Sequence, residues 1–369
     1  MSHKASIVGL FAGAILIGVA IMLMDRTQDE IIPDSKPKVK IGLIYPLSGD
    51  NAKFGEAARV AVSMFLADNE EKLNKFNYEF IYEDNQMKPQ QSVTALNKLI
   101  NIDKADIVIT TISNVGRAVS SANNGRIIHF SSSTDKGVAD GDFNFNISSS
   151  AENEVSKLIN VFMKKGYKKI DIVYANTSGP ALVAKLLEEK LNNEKTMKTG
   201  NVFSINQGEK DFRIMIYKIC NSNPDILFLQ LQAPEVDIFM KQFREINKDI
   251  PVTGISTFSF LENKAFAEGQ WYVDFAQANK GYIKKFESMT GDNVTVYSEY
   301  VYAILQILVD TYENSEGYKP SLKDISDYLL KNINDYETVV GKVNIDKEGA
   351  IDAPSSVLMI EDGNIVIVE

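Results

Sequence analysis

The stretch IGLIYPLSGDNAKFGEAARVAVSMF, residues 41–65, changes character at its centre. An apolar run from Ile41 to Tyr45 stops at Pro46, a small polar patch follows at Ser48, Gly49, Asp50 and Asn51, and apolar residues then recur at helical spacing. Strand, turn and helix are the natural reading, and the same rhythm continues down the chain. Strands are expected near 39–45, 78–83, 106–110, 126–130, 170–175, 200–205, 225–231 and 251–255. Helices are expected near 53–73, 89–101, 115–124, 152–165, 179–193, 210–221, 235–247, 276–289, 296–313 and 321–332. Runs such as DIVIT (106–110) and DILFL (225–229) are apolar without alternation, so both faces of those strands must be buried. The expected fold class is α/β, with parallel, doubly wound sheets covered by helices on both faces.

With 369 residues the chain exceeds what one core usually supports, which favours two lobes. Hydrophobic content of 44% and charged content of 24% are those of a globular protein. A formal charge of −10 offers no basic footprint for nucleic acid, so none is expected as a partner. The single cysteine, Cys220, excludes an intrachain disulfide and reads as an inert thiol near the end of an amphipathic helix. His3 and His129 are the only histidines, and His129 lies in an apparent strand as a structural residue, leaving little room for histidine metal sites or triads. No G-x-S-x-G, G-x-G-x-x-G, Walker, H-E-x-x-H or C-x-x-C pattern occurs, and acid pairs such as Glu70/Glu71 and Glu188/Glu189 read as solvated helix faces. No catalytic residue, metal or cofactor is expected.

Residues 7–24, IVGLFAGAILIGVAIMLM, are uncharged and apolar, and as a helix they span roughly 27 Å. Lys4 precedes them, and Asp25, Asp29, Glu30 and Asp34 follow, which favours an inside amino terminus and an exported body. An uncleaved membrane anchor and a cleaved signal peptide both remain open, because AIMLMDR offers no small-residue cleavage site while export itself is expected. Residues 25–37, polar with two prolines, read as a tether.

Three segments break the βα rhythm: GDFNFNISSSAENE (141–154), EGQWYVDF (268–275) and ETVVGKVNID (337–346). They are the expected interlobe crossovers of a hinge. The domains that follow are 1–24 as the membrane segment, 38–148 plus 275–340 as the first lobe, and 149–274 plus 341–369 as the second.

In open parallel sheets ligands bind beyond the carboxyl ends of strands, where helix N-termini present free N–H groups. Polar patches stand at those places in PLSGDN (46–51), TTISN (110–114) and SSSTD (131–135). Any one of them serves as a helix cap; three on one rim would also cradle a carboxylate or another small anion.

This pattern resembles the branched-chain amino acid (Leu/Ile/Val) binding proteins of ABC importers, the type I periplasmic ligand-binding fold, over residues 38–367. The opening strand, Pro-Leu-Ser-Gly turn and Phe-Gly helix entry of residues 41–65 are similar to the family's, as is EDNQMKPQQSVTALNKLI (83–100). EKDFRIMIYKICNSNPDILFLQ (209–230), AEGQWYVDF (267–275) and the closing GKVNIDKEGAID (341–352) continue the resemblance, with Ile345 where Phe is usual.

The resemblance implies that a ligand carboxylate is held at the first lobe by Ser113 and Asn114 after the third strand and by Ser132, Ser133 and Thr134 after the fourth, with Phe54 covering the ligand. The opposing lobe departs from the family. Ser178 stands before Gly179 where an aromatic is frequent, and Ser256 and Thr257 stand where importers of aliphatic amino acids carry an acid for the ligand's ammonium. Asp135 is a substitute counter-charge if it does not cap a helix. The implied function is an extracytoplasmic, periplasmic solute-binding protein that closes on a small amino acid-like or carboxylate/amide ligand and delivers it to an ABC permease. The alternative is a membrane-tethered envelope protein that reuses the clamshell as a sensor or a protein-binding scaffold.

Overall fold

The computed structural model describes residues 36–368 apart from 207, 296 and 317, with the side chains of residues 178 and 260 also outside the description. The membrane segment expected at 7–24, and the tether up to residue 35, lie outside those residues. Among the described residues no helix is long and apolar enough to cross a membrane.

The first half builds βα units from the opening stretch onward: β1 (Lys38–Tyr45), α1 (Ala52–Asp68), β2 (Asn77–Asp84), α2 (Pro89–Lys98), β3 (Ile107–Thr111), α3 (Ser113–Asn123), β4 (Ile128–Ser132) and β5 (Asn144–Ser148). β1 to β5 run parallel, with β1 between β2 and β3. β3, β4 and β5 are buried at every position, β3 as the apolar run IVITT and β4 and β5 with His129, Ser132, Asn144 and Asn146 hydrogen-bonded within the sheet. One face packs Ile41, Leu43, Ile109 and Phe130 into the larger core. The other packs Ile44 and Val108 against Leu96, Leu99 and Val119 of the neighbouring helical layer.

The second half repeats the plan with α4 (Ala151–Lys165), β6 (Lys169–Ala175), α5 (Ser178–Asn193), β7 (Lys198–Ile205), α6 (Arg213–Ser222), β8 (Ile226–Gln230), α7 (Glu235–Ile246), β9 (Val252–Thr253) and β10 (Trp271–Asp274). The chain then returns to the first half through α8 (Lys280–Thr290), α9 (Ser298–Glu313), α10 (Leu322–Asn332), β11 (Tyr336–Thr338), β12 (Gly341–Ile345) and β13 (Ala350–Asp352), and ends with β14 (Ser356–Glu361) and β15 (Asn364–Ile367). The first sheet has the order β11-β12-β13-β5-β4-β3-β1-β2, and the second halves are β7-β6-β8-β9 and β10-β14-β15. A parallel bridge from Ile255 to Val273 joins these last two groups.

Two lobes with parallel sheets therefore stand as expected, but the third crossover does not. Residues 337–346 form an antiparallel hairpin within the first sheet, and β13 pairs in parallel with β5, Ile351 opposite Ile147. Val343 and Ile351 bury into the first core, which is why the chain stays there. Residues 341–352 thus belong with the first sheet, and not with the second as the division after 340 supposed. The chain passes between the sheets at 149–150, 275–279 and 353–355. The helix expected from 276 begins only at Lys280, because Asn279 caps it by accepting the Tyr282 N–H at 3.0 Å.

Candidate functional site

The carboxyl ends of the first sheet carry the polar rim. The PLSGDN turn is fastened to β2: Asp84 accepts the Leu47 N–H at 2.9 Å and the Ser48 hydroxyl at 2.5 Å. Gly55 lets α1 abut that turn, since a Cβ there would lie 2.3 Å from the Pro46 carbonyl oxygen. At the next strand end, Ile112 takes φ +60 and no side chain caps α3. Ser113 and Thr134, on consecutive strand ends, bring their hydroxyl oxygens within 3.3 Å. Asn114 is exposed and its Oδ1 accepts the adjoining Val115 N–H.

Ser132 and Ser133 are wholly buried. The Ser132 hydroxyl donates to Thr111 Oγ1 at 3.1 Å, and that of Ser133 donates to Asn146 Oδ1 at 3.0 Å. Their side chains hold neighbouring strands together. Asp135 caps its own turn by accepting the Gly137 N–H and pairs with Arg117, so its charge is already engaged. His129 bridges Thr110 and Asn144 inside the sheet, and burial pushes its pKa down to about 4. Of the first-lobe candidates, Ser113 and Thr134 come together on the rim.

Phe54, half-buried on α1, faces Tyr297 with ring centroids 6.5 Å apart. Tyr297 precedes α9 with φ +76 and also meets Phe275, in the second crossover, at 5.8 Å. On the second sheet, Ser178 opens α5. Ser256, at φ +55, donates its hydroxyl to Asp274 Oδ1 at 2.6 Å, while Thr257 bonds the Leu229 carbonyl. Ser256 therefore orients an acid, Asp274, that ends the neighbouring strand β10. Ser259 donates to the other oxygen of Asp274, and the Phe275 N–H completes its shell at 2.8 Å.

Asp274 is one of three acids that sequence reasoning missed. Glu154, Asp274 and Glu299 are 2%, 4% and 5% exposed. They come from the first turn of α4, the end of β10 and the first turn of α9. Burial raises all three: the Glu299 carboxyl is pushed up to about 7, Asp274 upward, and Glu154 well above the usual range, with Asp274 and Asp352 adding repulsion there. The Tyr297 phenol is likewise raised, by burial first and then by the charges of Glu154, Asp274 and Glu299. Glu154 Oε1 has no hydrogen-bond partner among the described residues. The available signal was WYVDF, an acid at the carboxyl end of an apolar strand; nothing local marks Glu154 or Glu299. Among the described residues no group of three or more His, Cys, Asp or Glu is placed to hold a metal ion.

Asp274 and Glu299 also line a groove of about 460 Å³ whose apolar wall includes Ile283, Val294 and Leu358. Such a site favours a small solute with a polar group at the seam and an apolar body along the groove.

Comparison with known proteins agrees with this architecture. The family model described as "Periplasmic binding protein" matches residues 38–364. A "Leu/Ile/Val-binding protein homolog 2" of Brucella abortus is 22% identical over 329 residues, covering 84% of this chain and 87% of that protein. Among solved structures, the branched-chain amino acid transporter substrate-binding protein LivJ of Streptococcus pneumoniae, in complex with isoleucine, superposes with a TM-score of 0.74 at 16% identity, covering 90% of this chain and 99% of its own. A solute-binding protein of an ABC transporter from R. palustris, in complex with benzoate, gives a TM-score of 0.70 at 18% identity over 90% and 95% of the two chains.

Proposed function

The chain belongs to the periplasmic binding protein family, a binding protein and not an enzyme, and on that premise we propose that it captures a small solute outside the cytoplasm for an ABC importer. The observation that carries this reading is the pair of parallel sheets joined by three short crossovers, with Phe54, Tyr297 and buried acids at the seam. Solute first meets the rim where the Ser113 and Thr134 hydroxyls and the uncapped start of α3 offer donors to a carboxylate or amide. Closure about the crossovers then brings the second sheet against it and excludes water, so that a few polar contacts gain strength. Because the solute touches both lobes only when they are shut, binding shifts the population toward the closed form that a permease recognises. The relatives in complex with isoleucine and with benzoate support a ligand of amino acid or small carboxylate size. Residues 7–24 hold the body at the cytoplasmic membrane in this reading, and recovery of intact chain in washed membranes is the expected result.

The test is thermal unfolding of the purified full-length chain against amino acids, amides and small carboxylates. A ligand at 100 times its dissociation constant adds about 2.7 kcal/mol of stability. Failure of every compound to raise the melting temperature overturns the reading.

A further inference from the structure

We propose that β15 is a strap that seals the groove when the lobes shut: Ile365 and Ile367 seat on Ile283 and Val294 of the opposite lip, and Lys264 pairs with Glu287 beside them. This rests on the solute-binding reading above and adds a contact that sets how readily the lobes close, apart from anything the solute touches. The groove of about 460 Å³ has one lip from each lobe. Ile283 and Glu287, one turn apart on α8, and Val294 after it belong to the first; Lys264, Ile365 and Ile367 belong to the second. At one end the groove is walled by the buried Asp274, Ala278, Glu299 and Leu358, while at the other Ile365 and Ile367 are 39% and 53% exposed. The inner end is left for the solute, and the mouth for protein to cover.

The bare strand is the observation that points to a cover. Asn364–Ile367 carries no charge and is the outer strand of the β10-β14-β15 group, with no strand on its far side among the described residues. An exposed apolar edge of this kind invites pairing with other chains unless something covers it. What faces it across the groove is apolar too: Ile283 and Val294 are half-buried and pack against the first core. The strap travels with the second lobe as one piece, because Glu268 accepts the Asp362 and Gly363 N–H groups of its turn at 2.7 and 3.1 Å. Closure about the crossovers then brings one lip onto the other. Charge agrees with that movement. Lys264 Nζ reaches only the Leu261 carbonyl, at 3.4 Å, and neither it nor the Glu287 carboxylate forms an ion pair among the described residues. Asp274 is already engaged by Ser256, Ser259 and the Phe275 N–H, and Glu299 lies at the buried end, which leaves Glu287 as the acid at the mouth.

Val294→Cys with Ile367→Cys, in a full chain that also carries Cys220→Ser, tests the contact directly. Oxidation is expected to join the two lips, seen as a change in gel mobility that reductant reverses. Val294→Cys with Ile214→Cys, at an exposed position of α6, is expected to form no link. Chain linked before solute is added is expected to lose binding, and reductant to restore it. Without added cysteines, Ile365→Thr with Ile367→Thr is expected to weaken affinity for the solute found by thermal unfolding about tenfold, and Lys264→Glu about threefold. Lys264→Glu with Glu287→Lys is expected to recover what Lys264→Glu alone loses; circular dichroism checks that each variant is folded. No more link in the first cysteine pair than in the second, or affinity unmoved in the folded threonine and Lys264→Glu chains, overturns the proposal and leaves the solute-binding reading in place. If every compound of the panel fails, the solute-binding reading falls, and the link still decides whether the lips meet.

Discussion

The hydroxyl of Ser149 donates a 2.8 Å hydrogen bond to the carbonyl of Pro354, 205 residues further along the chain. The same oxygen accepts the Ala276 N–H at 3.3 Å, so one buried side chain ties all three crossovers together. Ser149→Ala strands an amide and a carbonyl where water has little access, and the expected cost is about 1–3 kcal/mol. Urea unfolding is expected to show a lower midpoint with an unchanged slope. An unmoved midpoint would show that these groups find other partners.

The buried acids give stability an unusual pH dependence. Glu299 has a pKa of about 7 in the fold against an ordinary 4.5, so the folded state holds its proton more tightly than the unfolded chain does. Its contribution is fully favourable below about pH 4.5 and is lost as pH rises to about 7, by roughly 3 kcal/mol. His129 acts in the opposite sense: burial takes its pKa to about 4, so its contribution is present above about pH 6.5 and is lost as pH falls toward 4. Glu154 and Asp274 shift in the same direction as Glu299, so the acids outweigh the histidine. Denaturant midpoints of the ligand-free protein are therefore expected to fall between pH 5 and 8. Glu299→Gln should flatten that fall; a profile identical to the parent would remove Glu299 as its cause.

The rim and the sheet interior respond differently to loss of a hydroxyl. Ser113→Ala with Thr134→Ala removes two partly exposed donors that face each other, so affinity for whichever amino acid, amide or carboxylate raises the melting temperature is expected to drop about fivefold to tenfold, with little change in the melting temperature of the ligand-free protein. Ser132→Ala deletes a buried hydroxyl bonded to Thr111 and is expected to lower stability by about 1 kcal/mol instead. Titration and thermal unfolding of the two variants separate these roles. Intact affinity for that solute in the double variant would place its polar contacts elsewhere.

Much of the fold was legible because it rests on local patterns. Runs such as DILFL demand burial on both faces, and helical spacing between them fixes the parallel plan. The third crossover was not legible, because a hairpin and a crossover both look like short β-branched runs around glycine. Only the pairing of Ile351 with Ile147 decides between them, and that is a contact across the sheet. The site divided the same way. Strand-end hydroxyls can be listed from sequence, but which of them turn inward depends on neighbours such as Asn146 and Thr111. The acids were hidden for a deeper reason: Glu154 and Glu299 look like ordinary first-turn helix carboxylates, and their burial comes from tertiary packing that no local pattern displays.

Gly116 links that packing to the rim. A Cβ at this position would lie 2.4 Å from Ser131 Oγ and 3.2 Å from Val138, so α3 rests directly on β4 and the loop that follows it. That close seating is what sets Ser113, at the start of α3, within reach of Thr134 beyond the end of β4. Gly116→Ala forces helix and strand apart, at an expected cost of about 1–3 kcal/mol. Because the displacement also separates the two hydroxyls, affinity for the solute found by thermal unfolding should fall with stability, although residue 116 is not one of the rim donors. Ser131→Gly in the same chain removes the colliding oxygen and is expected to restore part of both. Recovery of neither would show that α3 is positioned by contacts other than this one.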